Sequence, residues 1–307
     1  MSVDVHLIKA LREKTGAGVV DCQKALRDAN SNIDDAIDLL RERGMATAAK
    51  KTHKVAADGL VSITISDDGN TAAILEINSE TDFVASSQKF QDLVVQVTNI
   101  AIKHDTLDSL LNAQLEHHTS VQSAITNAIA TLGENVKIRR LSNVKLLEAG
   151  IIGSYVHNKV LPSAGKIGVV VAISSNCAQH DKIAELAKHI AMHTASSAPV
   201  ALKIEDLDKA LVQKERDIIM AQLQNTDKPA NIIEKMIDGK MRQFYATSVL
   251  MEQTFIMDNK ITIADLLKQF AKEYLCHVAI KSFVRFEVGQ GIVVENMSLS
   301  ESVAQML

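Results

Sequence analysis

The chain has 307 residues, of which 47% are apolar and 23% charged, and its formal net charge is -4. That length is enough to bury roughly three quarters of the unfolded surface and to make more than one folding unit. The slightly acidic balance argues against a main task of holding phosphate backbone, so no direct nucleic-acid partner is expected. The three cysteines, Cys22, Cys177 and Cys276, are odd in number and outside any C-x-x-C spacing, which suits structural thiols in a reducing compartment. No signal peptide is read after Met1, and no run approaches the ~18 apolar residues of a membrane span. A cytoplasmic location with no membrane contact is the expectation.

In chain order, Val5, Ile8 and Leu11 recur at helical spacing over residues 4–14, and Thr15-Gly16-Ala17-Gly18 closes that helix. A second helix is predicted from Val19 to Ala29, with Cys22, Ala25, Leu26 and Ala29 on one face. Asn32 is placed to cap a third, with Asp34 and Asp35 near its positive end and Ile33, Ala36, Ile37 and Leu40 as its apolar face. Gly44 is expected to stop it. Three short helices then close around their own core as a head domain, residues 1–45. The alanine- and lysine-rich piece that follows lacks a broad apolar stripe and reads as a linker, 46–58, with Lys50, Lys51 and Lys54 on a solvated face.

Residues 59–78 change to a period of two. Leu60–Ile65 and Ala72–Ile77 predict two strands of a hairpin around Asp67-Asp68-Gly69-Asn70. A polar block, Asn78-Ser79-Glu80-Thr81-Asp82, follows with no evident core role, and Phe83 sits at its edge. Two roles fit Phe83: a hydrophobic plug closing the next helix onto the sheet, or an exposed anchor flanked by charge, as at protein-binding hot spots. Phe90, Leu93, Val94, Val97 and Ala101 predict a long helix. Helices over 105–116 and 119–132 and a strand over 136–141 complete a first unit, 59–141.

The plan then repeats. Ile151–His157 reads as a strand, an irregular stretch passes Pro162 and Gly165, Ile167–Ile173 forms the partner strand, and residues 181–192 a helix. Phe283–Val288 supplies the third strand, so two related α+β units are expected. The second, 142–197 and 239–288, is interrupted by an inserted pair of helices, 198–238, one over Lys203–Gln224 and one after Pro229. These form an antiparallel hairpin suited to a partner or to homodimer formation, or fold back as a covering layer. Residues 261–281 read as a further helical region, and 289–307 as a C-terminal helical module ending in a short helix over 298–307.

His189 and His193 stand four apart on a helix, but Ile190 replaces the glutamate of the metalloprotease pattern, so no metal is expected. Cys22 fits an apolar stripe, and Cys276-His277 make no nucleophile–base pair. Phosphate-binding and nucleophile-elbow motifs are absent, and Glu76 and Glu80 are not fixed as a general acid and base. These absences favour a binding protein without cofactor over an enzyme.

Several blocks closely resemble the bacterial elongation factor Ts family. They are Leu11-Arg12-Glu13-Lys14-Thr15-Gly16-Ala17-Gly18 with the helix start after it, Thr81-Asp82-Phe83-Val84-Ala85, Asn135-Val136-Lys137-Ile138-Arg139-Arg140, His189–His193 and Arg285–Ile292. The blocks span almost the whole chain in family order. The resemblance implies an α+β fold with a ubiquitin-associated-like three-helix head, two related core subdomains, an inserted helical hairpin and a C-terminal module. It implies a guanine nucleotide exchange factor in translation elongation, making no covalent change, whose partner is the GTPase elongation factor Tu. By resemblance Asp82 and Phe83, flanked by Thr81 and Val84, form an intrusive tip. Phe83 enters between partner side chains and disturbs the Mg²⁺ and phosphate site, while Asp82 holds orienting polar contacts. Arg12, Val19, Val20 and Asp21 in the head and His157 on the second unit face the partner as well.

The chain departs from the family at Leu161–Gly165, which looks longer than the usual turn, and at Thr254, where proline is usual before the aromatic. Another functional class remains: a non-catalytic adaptor that binds helical or ubiquitin-like partners through the head.

Overall fold

The computed structural model describes residues 4–115, 119–223 and 229–293. Helices α1 (Val5–Thr15), α2 (Val19–Asp28) and α3 (Ile33–Lys51) open the chain. Asp4 and Asn32 cap α1 and α3 through their side chains, and Gly16 ends α1 in the left-handed conformation. Leu11, Cys22, Ala25, Leu26 and Ala36 form their shared core. Helix α3 corrects two expectations. Gly44 does not stop it, and the supposed linker is helical as far as Lys51. The physical reason is a stripe of small residues: a Cβ at Gly44 would lie 3.2 Å from that of Ala130 on α7 (Val121–Leu132), and Ala48 is buried in the core beside the sheet. A close-packed helix needs no broad apolar face when its contact side is glycine and alanine. The head therefore shares α3 with the body of the protein.

Among the described residues six strands form one antiparallel sheet: β1 (Asp58–Ile65), β2 (Thr71–Ser79), β3 (Lys137–Lys145), β4 (Gly150–Leu161), β5 (Ala164–Ser175) and β6 (Val278–Glu287). Two halves repeat one pairing. β2 lies between β1 and β3, and β5 pairs along its length with β4 and β6; short pairing of β1 with the start of β5 joins the halves. The likeness extends to detail. Gly59 and Gly150 each approach a carbonyl, of Ile77 and Ile173, where a Cβ would come within 2.1 Å, and the register slips at Glu76/Ile77 and at Ala172/Ile173.

Alternation along the strands sorts side chains to two faces. Leu60, Leu75 and Ile77 pack under α5 (Gln88–Ala101) and α7, and Val169, Val171 and Ile173 under α8 (His180–Ser197) and α11 (Ile263–Glu273). Val61, Ile74, Val170 and Ala172 of the opposite faces meet in one shared cluster. Helices α4 (Asp82–Ala85) and α6 (Leu107–Asn112) are short. Helices α9 (Lys209–Leu223) and α10 (Ala230–Ser248) pair through Ile219, Leu223, Ile237 and Met241. The pair starts later than expected, after a 3-10 turn at Ile204–Asp206, and α10 runs ten residues past the expected boundary at 238 because Met241 continues its buried stripe.

Two further expectations change. The irregular stretch through Pro162 and Gly165 is a turn of two residues, Pro162-Ser163, and Gly165 lies inside β5, paired with Val61 and Lys159. The helical region drawn to 281 ends at Glu273; Leu275 turns the chain at φ 50°, and β6 begins at Val278. Cys276 and His277 are thus not helical. Thr254 bridges to Thr262 in antiparallel fashion, which defines the local course there. The helix expected over 298–307, most of the module 289–307 and the ends of the helices drawn to 116 and 224 lie outside the described residues. Among the described residues no helix is long and apolar enough to cross a membrane.

Candidate functional site

The turn between β2 and α5 is built from the polar block. Ser79 Oγ donates to the Thr81 carbonyl at 2.9 Å, and Thr81 caps α4. Four residues make α4, and they divide sharply: Val84 and Ala85 are buried in the core under α5, whereas Asp82 is exposed and Phe83 is 84% exposed. The plug role for Phe83 is therefore excluded. Val84, grouped with the tip because it shares the motif, points inward and anchors the turn instead. A bulky aromatic left in water beside a carboxylate offers apolar area that a partner can cover.

The mount beneath it is polar. The Glu134 carboxylate accepts the Thr81 N–H at 3.0 Å and the Thr81 hydroxyl at 2.7 Å. Glu80 accepts the Asn135 N–H at 2.7 Å and pairs with the Lys54 ammonium at 3.3 Å. Asn135, buried, donates its side-chain amide to the Lys54 carbonyl at 2.7 Å. Glu76 is buried on β2 and accepts from Asn78 at 3.0 Å, Gly289 N–H at 2.8 Å and Arg139 at 3.1 Å, as well as from Arg140 Nε. Burial pushes the Glu76 carboxyl up, but the Gly289, Asn78 and Arg140 bonds together outweigh it and hold it below the usual glutamate range. The Glu76 and Glu80 carboxylates are thus both occupied by structural partners.

Arg12 and Asp21 are exposed in the head, as are Val19 and Val20, the latter at 75%, so Val20 is not a member of the head core. The turn between α1 and α2 is brought to the tip's side of the body: Lys89, on the first turn of α5, donates to the Gly16 carbonyl at 2.7 Å. His157 is exposed on β4 and shares a 3.1 Å hydrogen bond with the Tyr155 hydroxyl. Among the described residues no hydrogen bond or ion pair joins it to the 81–84 turn.

The histidine pair on α8 is split by burial. His193 is fully buried, 2.9 Å from Gln253 Oε1, and burial pushes its pKa down against that bond. His189 is half-buried, and no group of three His, Cys, Asp or Glu side chains among the described residues is arranged to hold a metal ion. Cys22 is buried, which pushes its thiol pKa up. The Glu134 contact escaped the sequence reading because 53 residues separate it from Thr81; its only local sign is a carboxylate directly after a helix-ending glycine.

The family described as Elongation factor TS matches residues 80–290. Elongation factor Ts of Rickettsia bellii is 43% identical over 307 residues, covering all of this chain and 98% of that protein. Elongation factor Ts of Rickettsia felis is 41% identical over 304 residues, 99% of this chain and 97% of the relative. These matches place the chain among the elongation factors of translation. It belongs to the elongation factor Ts family.

Proposed function

We propose that the chain is a guanine nucleotide exchange factor that acts on elongation factor Tu in the cytoplasm. The observation that carries this is Phe83, exposed between a solvated carboxylate and two residues locked in the core. Burying a phenylalanine side chain contributes roughly 1.5–3 kcal/mol. Where the partner accepts Phe83 only in a state with its Mg²⁺ and phosphate site disturbed, that free energy favours the nucleotide-free form. Linkage is reciprocal: nucleotide rebinding weakens the hold of the factor on the GTPase. No covalent bond changes, and the chain needs no nucleotide site of its own.

In this reading α1 to α3 form the head, whose Arg12, Val19, Val20 and Asp21 give a second contact. The two halves of the sheet are the related core subdomains, with His157 a further contact on the second. The paired α9 and α10 expose Leu211, Ile218, Met220 and Ile232, which supports a partner-binding or self-association surface there. The test is release of a fluorescent GDP analogue from elongation factor Tu with and without the chain. Unchanged release in the presence of folded chain overturns the proposal.

A further inference from the structure

We infer that Glu80 and Glu134 form a reciprocal clamp that sets the attitude of Phe83, making both positioning residues for nucleotide release. The inference rests on the exchange function proposed above. Residues 80–81 and 134–135 trade bonds: Glu134 takes the N–H of Thr81, and Glu80 takes the N–H of Asn135. The Glu134 bond to the Thr81 hydroxyl adds a second point on the same residue, so one carboxylate holds both the backbone and the side chain of the cap of α4.

Three features give this geometry a role beyond holding the fold. First, the clamp grips Thr81, two positions before Phe83, while Val84 and Ala85 are pinned by burial on the other side. The Phe83 side chain is left as the projecting group on a turn fixed at both ends. Second, its bonds are charge-assisted, the stronger kind, and two of them converge on one residue. Third, the clamp reaches the segment between α3 and β1: Lys54 bonds to Glu80 through its ammonium and to Asn135 through its carbonyl. An anchor already held in its bound attitude loses little conformational freedom on docking, so more of its burial energy is left to favour the released state. A loosened anchor still docks, but displaces nucleotide less well.

The test uses the full chain and elongation factor Tu loaded with a fluorescent GDP analogue. Release is followed over a range of factor concentrations, which separates the maximal rate from half-saturation. Glu134→Ala is expected to lower the maximal rate about tenfold, with half-saturation moved less than about twofold. Combined with Phe83→Ala, the same substitution is expected to cause no further loss, because the clamp acts through Phe83. Amide exchange at residues 82–86 of the free chain is expected to rise in Glu134→Ala while Ile74–Ile77 stays protected.

An equal fold loss with and without Phe83, or full release by folded Glu134→Ala, overturns the inference. Should Glu134→Ala fail to fold, Thr81→Val, which removes the hydroxyl bond to Glu134 together with the cap bond from the Val84 N–H, is put through the same cycle. An unmodified chain that releases no nucleotide overturns the exchange function and the clamp's role together. An active unmodified chain with an equally active Glu134→Ala overturns the clamp only.

Discussion

The Glu76 carboxylate accepts the backbone N–H of Gly289 at 2.8 Å, tying the middle of β2 to the segment that leaves β6 across 213 residues of chain. Arg139 and Arg140 close the same junction, donating to the Gln290 and Glu287 carbonyls, and the Arg140 guanidinium lies 4.1 Å from the centre of the Phe286 ring. Glu76→Ala leaves two part-buried guanidinium groups without their carboxylate, and a loss of about 3 kcal/mol is expected in urea unfolding, near the lower end for a broken buried pair. Glu185→Ala, which removes an exposed pair with Lys182, is expected to cost less than about 0.5 kcal/mol.

The same carboxylate makes stability depend on acid. Its folded pKa lies below the unfolded value, near 4.3 for an ordinary glutamate. Its contribution is therefore complete above that value and is lost as pH falls through the lower, folded one. Thermal unfolding of the unmodified chain should fall steeply in this acid window, and Glu76→Gln should flatten that part of the profile.

His193 acts at milder pH. Burial holds its folded pKa below the unfolded value of about 6.5, so the neutral ring contributes fully above pH ~6.5 and the contribution fades as pH drops toward the folded value. Melting temperatures measured from about pH 7 to pH 5 should decline less in His193→Gln than in the unmodified chain, provided the variant remains folded. A steeper decline in the variant would contradict this assignment.

Gly44 lies inside α3, where its residue type predicts a stop, and its substitution tests the packing that places it there. Alanine gains roughly 1 kcal/mol of helix propensity but brings a methyl 3.2 Å from Ala130, so Gly44→Ala is expected to be near neutral. Gly44→Leu overpacks the α3–α7 contact, with an expected loss of about 1–3 kcal/mol. Urea unfolding of the two variants checks both values.

Gly44 marks where local pattern stops being informative. The strands and amphipathic helices were legible because their burial follows a period of two or 3.6, as in β1, β2 and α5. Gly44 and Gly165 read as breaks because glycine is rare inside elements, yet one meets a helix and the other sits in a strand. Only the neighbour across the gap explains either. The motif Thr81–Ala85 marks a candidate site, but sequence could not say that Phe83 faces water while Val84 faces the core. Nor could it pair Thr81 with Glu134, since such a contact depends on two junctions being brought together by the sheet.

In the proposed exchange function the exposed Phe83 ring drives nucleotide release. The direct measurement is the maximal rate of fluorescent GDP release from elongation factor Tu by the unmodified chain and by Phe83→Ala, with the urea stability of both recorded. Because the ring is 84% exposed, stability should change by less than about 0.5 kcal/mol. The release rate should fall by at least about tenfold, the factor matching the lower end of phenylalanine burial. A folded Phe83→Ala chain that releases GDP at the unmodified rate would contradict the account.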